Sequence, residues 1–91
     1  MPSDSIHLFQ GSPADKDVGL PFPKLFETYF LKTVSVLDDL AKQTSLKTLH
    51  LHSPRGAARP KTPRDFVFYL CEQLALEKAK TTKNLKVIIE R

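Results

Sequence analysis

The chain reads as a small α/β domain, a three-stranded parallel sheet with two main helices in the order β-α-β-α-β. Three observations carry that reading. Three short segments show strand-like apolar patterns, and two longer segments between them repeat apolar residues at helical spacing. Strands separated by helices of this length run parallel, because no hairpin connects them. Each crossover is then expected to be right-handed.

The first strand is expected over Ser5–Gln10, with Ile6 and Leu8 on one face. The first helix follows in "FPKLFETYFLKTVSVLDDLAKQT", where Pro23 suits an opening turn. Phe26, Phe30, Thr33/Val34, Leu37 and Leu40/Ala41 recur there at helical spacing. The second strand, Leu46–His52, alternates, with Leu49 and Leu51 on one face and Thr48, His50 and His52 on the other.

The second helix has an explicit start. Thr62 is the expected N-cap, Pro63 falls at the first helical position, and Asp65 is placed to reach back as in a capping box. Val67, Leu70, Cys71, Leu74 and Ala75 form its stripe, and Phe66, Tyr69 and Leu76 broaden it, which predicts cover on more than one side. The third strand, Leu85–Glu90, has a Val-Ile-Ile centre of the kind expected where both faces are buried. The succession strand, Ser-Pro, loop, proline, helix occurs twice, as the shared demands of βα connections explain. Two helices cannot easily cover both faces and both edges of three strands. An apolar surface is therefore expected to remain for a second subunit or a larger partner.

With 91 residues, 41% of them apolar, the chain has the size and composition of one globular domain spanning 1–91, whether a whole protein or one unit of a larger assembly. A single cysteine excludes an intramolecular disulfide, and the three histidines and that cysteine lack the spacing of a zinc box. No metal and no cofactor are expected. The N-terminal "MPSDSIHLFQ" has neither the basic nor the apolar region of a signal peptide, and the longest strongly apolar run, Phe66–Cys71, is too short to span a bilayer. A soluble, cytoplasmic protein without a membrane partner is the expectation.

Charge is unevenly distributed. Residues 1–45 hold six acids against four lysines, net −2, whereas residues 46–91 hold ten Lys/Arg against four acids, net +6. A basic half attracts phosphates, nucleic acid or acidic protein surfaces. Ligands of open parallel sheets bind beyond the carboxyl ends of the strands, in the loops that lead to helices. Here those loops contain Gly11 and Ser12 after the first strand, and Ser53, Arg55, Gly56, Arg59, Lys61 and Arg64 after the second. Arginine forks suit phosphate oxygens, a glycine lets backbone N–H groups approach an anion, and a helix N-terminus adds donors. No Walker or dinucleotide-binding glycine motif is present.

His50 and His52 project from one strand face, and His7 is expected on a neighbouring strand, but no third metal ligand is evident. Hydrolase chemistry would draw on Ser12 or Ser53, His50 or His52, and Asp15 or Asp17, yet no Gly-x-Ser-x-Gly elbow surrounds either serine. Cys71 lies mid-helix in an apolar stripe, a setting for inert packing.

The run from Lys24 to Glu90, with "LFETYF", "SLKTLHLHSPRG", a proline-led helix and "LKVIIE", resembles in layout the latter part of a macro domain. That resemblance implies ADP-ribose or nucleotide binding, with Gly56 as counterpart of the glycine in the loop that grips the diphosphate. Pro54-Arg55 stand here where the family has Ser-Thr, and the chain is shorter than a whole macro domain.

The expected function is thus a non-catalytic binding or interaction module with a phosphate-binding sheet edge. A nucleic-acid-binding protein using the basic half, a macro-like nucleotide binder and a small hydrolase are the alternatives.

Overall fold

A computed structural model of the chain describes residues 5–10 and 20–91. Its elements are β1 (Ser5–Leu8), α1 (Phe22–Leu25), a π-helical stretch (Phe26–Phe30), α2 (Leu31–Ala41), β2 (Lys47–His52), a 3-10 turn (Arg55–Ala58), α3 (Pro63–Thr81) and β3 (Leu85–Glu90). The three strands form one parallel sheet in the order β1-β2-β3. The fold is therefore the small α/β architecture read from the sequence.

Sequential strand order has a geometric consequence. Two right-handed crossovers that step in the same direction place both connecting helices on the same face of the sheet. The register shows the result. Ile6, Leu49 and Val87 stand in one row, and Leu8, Leu51 and Ile89 in another. Both rows belong to a single core with Leu25, Tyr29, Leu37 and Leu40 of the first helical segment and Val67, Phe68, Cys71 and Ala75 of α3. The intervening row is His7, His50 and Ile88, and none of these joins that core.

Two expectations change on this account. Val87, Ile88 and Ile89 are only half-buried, so β3 is not covered on both faces. Among the described residues no helix covers the other face, and that face is not apolar. It carries Ser5, His7, Thr48, His50, His52, Lys86 and Glu90, with Ile88 among them. Period-two alternation in β1 and β2 already encoded a one-sided sheet, and the short Val-Ile-Ile run masked it in β3.

The first helical segment departs from regular geometry for a packing reason. Its buried residues are Leu25, Tyr29, Thr33, Leu37 and Leu40, mostly four apart. In a 3.6-residue helix each four-residue step drifts by ~40° around the axis. The wider π turn at Phe26–Phe30 takes up that drift and keeps the stripe aimed at the sheet. Within it the Thr33 hydroxyl donates to the Tyr29 carbonyl at 2.8 Å, so this buried polar side chain is satisfied. Phe26 and Phe30, expected as members of the apolar stripe, are half-buried at its margin with rings stacked at 4.6 Å.

In α3 the Thr62 side chain accepts the Asp65 N–H at 3.2 Å, and Pro63 opens the helix, as its sequence demands. Phe68, absent from the expected stripe, is fully buried, whereas Phe66 and Leu76 are exposed, so α3 is covered chiefly from one side. Phe9 closes β1 with φ of 63°, a left-handed conformation that a bulky residue rarely adopts. Its ring packs edge-on against Tyr29 at 5.1 Å and Phe68 at 5.6 Å, and those contacts hold the turn.

A one-sided core makes neighbouring strand residues unequal. Leu49→Ala is expected to cost about 3 kcal/mol, and Thr48→Ala, on the other face, less than about 1 kcal/mol. Urea denaturation of both variants checks this, and equal losses would contradict the one-sided sheet.

Candidate functional site

The segment from Ser53 to Thr62 leaves the carboxyl end of β2 and runs into α3. It is held at four points. Ser53 is buried; its N–H donates to the Glu90 carbonyl at 2.8 Å, and its hydroxyl donates to Glu72 at 2.5 Å. The Arg91 guanidinium donates to the other oxygen of the same carboxylate. Glu72 is 3% exposed, and a buried carboxylate of this kind is tolerated because a cation and a hydroxyl replace its water.

Ala57, fully buried, anchors the 3-10 turn. Gly56 faces the Asp65 carboxyl group, and a Cβ on Gly56 would lie 2.7 Å from Asp65 Cγ. This close approach accounts for glycine at that position without any ligand. Thr62, the fourth anchor, caps α3. Pro54 and Pro60 stiffen the loop between anchors.

The basic residues divide into two groups. Arg64 donates to Asp65 at 3.1 Å across a nearly buried pair, and Arg91 is bound to Glu72. Arg55, Arg59 and Lys61 are exposed, and their side chains form no ion pair or hydrogen bond among the described residues. Gly11 and Ser12, expected in the companion loop, lie outside the described residues, as do Asp15 and Asp17. Two aromatic side chains flank this edge. Phe22 opens α1 and Phe66 lies in the first turn of α3; they are 38% and 45% exposed, with ring centroids 6.1 Å apart. They are the exception to an otherwise apolar-facing set of aromatics, and only the folded chain brings them together.

The other candidate groups are arranged elsewhere. His7, His50 and His52 gather on the uncovered sheet face, as strand alternation anticipated for the last two. The structure does not bring Ser53 to them: its hydroxyl is turned to Glu72 on the opposite, helix-covered side. Among the described residues, no three His, Cys, Asp or Glu side chains converge closely enough to hold a metal as they stand. Cys71 is buried, and desolvation pushes its thiol up to about 11, with the Glu72 charge adding to the rise and a hydrogen bond with Thr33 opposing it. A group held this far from its thiolate is a poor nucleophile.

Compared with known proteins, the chain matches no family model, no curated protein and no solved structure. The macro-domain layout gains no support from them, and the site is read from its own geometry. Among the described residues no helix is long and apolar enough to cross a membrane.

Three outcomes are expected. Gly56→Ala displaces the Asp65 carboxylate and destabilises the fold by about 1–3 kcal/mol, measurable by chemical denaturation. Cys71, fully buried and with its thiol pushed up to about 11, is alkylated at pH 8 far more slowly in the folded than in the unfolded chain. Because folding raises this pKa, the neutral thiol's contribution to stability is intact below pH 9 and is lost as pH rises from about 9 to 11. A Cys71→Ser comparison isolates that loss.

Proposed function

We propose that the chain is a non-catalytic binding module that takes a phosphate-bearing ligand on the loop after β2. The observation that carries this reading is the loop itself, pinned at Ser53, Gly56, Ala57 and Thr62 while displaying Arg55, Arg59 and Lys61, whose side chains have no ion pair or hydrogen bond among the described residues. Binding to a segment already held in place costs less conformational entropy than ordering a free loop. Guanidinium groups suit phosphate oxygens, and an acidic protein surface would meet the same three cations. The exposed rings of Phe22 and Phe66, beside the start of α3, favour a ligand that carries a planar base with its phosphate. The paired charges of Arg64 and Arg91 serve the fold in this reading. A buried, unpaired cysteine accords with a reducing, cytoplasmic setting.

The test is a titration followed by backbone NMR, with pyrophosphate, nucleotides and a single-stranded oligonucleotide as separate probes. Shifts are expected at residues 54–62, larger for a nucleotide than for pyrophosphate, and Arg55→Ala with Arg59→Ala should weaken binding at least tenfold without lowering stability. Absence of any shift at millimolar ligand would remove the proposal. Shifts from the oligonucleotide that spread to Lys78, Lys80, Lys83 and Lys86, with steep salt dependence, would instead assign the surface to nucleic acid.

A further inference from the structure

The uncovered sheet face presents a second constellation, separate from the basic loop. His7 Nδ1 and His52 Nε2 are 2.9 Å apart. His50 stacks on His7 with ring centroids at 4.5 Å and planes within 9°, and its Nδ1 lies 3.2 Å from Glu90 Oε1. The arrangement follows from register: His7 pairs with His50 across β1 and β2, and His52 stands two residues further along the same face. Lys86 and Glu90 are the charged residues of β3 on this face, with Glu90 directly beside His52 and Lys86 two rows away.

Two imidazole nitrogens at this distance share one proton, with one ring donating and the other accepting. The same two lone pairs can instead face a cation. For tetrahedral zinc, with Zn–N near 2.05 Å, two ligating nitrogens stand about 3.3 Å apart. His7 and His52 therefore need to separate by roughly 0.4 Å and to turn the two facing nitrogens toward a common point, a rearrangement of side chains rather than of the strands that carry them. His50 and Glu90 are placed to support rather than ligate: the stack orients the His7 ring, and the nearby carboxylate favours a positive charge.

We infer that His7 and His52 form a two-histidine site for a late first-row divalent cation, zinc or copper, with water completing the coordination. Imidazole donors suit these ions and not magnesium or calcium, which require oxygen ligands. The ion takes the place of the proton shared between the two rings, and that proton moves to the other nitrogen of the donor ring, so two neutral imidazoles bind the ion without net proton release. Because metal requires neutral imidazoles, affinity falls as the solution is acidified.

The experiment uses the full chain with zinc chloride and, separately, copper(II) chloride, followed by calorimetry and by the histidine ring signals in NMR. One ion per chain is expected, with the His7 and His52 ring resonances shifting together on adding zinc and no response to magnesium. His7→Phe preserves a ring to stack on His50 while removing the ligand, and it should weaken binding at least tenfold. His52→Phe should do the same, and His50→Phe should change it less than threefold. Circular dichroism and denaturation midpoints establish that each variant is folded, and the ring resonances of the unmodified chain give a readout independent of them. Lack of saturable binding, His7→Phe or His52→Phe binding like the parent, or His50→Phe losing as much as either, would overturn the assignment.

Discussion

The structure depends on one topological constraint. Three parallel strands in sequential order, joined by right-handed crossovers, must carry both helical segments on one face. The core is accordingly a single layer of contact between that face and the helices, built from Leu8, Leu49, Leu51 and Leu85 below and Leu25, Leu37, Val67 and Phe68 above. The π stretch at Phe26–Phe30, the exposure of Phe66 and the polarity of the opposite face all follow from having one layer to fill. Parallel sheets are commonly covered on both faces. Here the residues of the second face are polar enough to meet water, with His7, His50, His52 and Glu90 satisfying one another.

At the carboxyl edge the same architecture separates anchoring from display. Glu72 on α3 gathers Ser53 from the end of β2 and Arg91 from beyond β3, so one buried carboxylate ties three elements together. Asp65 performs a related role one turn from the start of α3, receiving Arg64 and packing against Gly56. Once these two carboxylates have taken Arg64 and Arg91, the basic surplus of the C-terminal half is left on the surface. On the loop after β2 it consists of Arg55, Arg59 and Lys61. A positively charged edge is thus the remainder of the charge balance that stabilises the loop beneath it.

Element order, parallel direction and the start of α3 were legible in the sequence because each is a local property. Alternation in Lys47–His52, apolar recurrence between Phe22 and Ala41, and the Thr62-Pro63 opening depend on residues within a few positions of one another. The basic loop was legible as composition, and its position beyond a strand end follows from fold class. What tertiary structure alone decided is which of these residues are used internally. Gly56 and Asp65 meet across a turn, Ser53 and Glu72 across 19 positions, and His7 and His52 across 45. Those pairings depend on strand register and on the side to which each helix crosses, and neither is written in any short stretch of chain. The amino-acid sequence by itself thus determined the elements and their sense. Only the fold decided that three basic side chains are displayed, that two are held in ion pairs, and that three histidines share a face, because each outcome is set by contacts between distant segments.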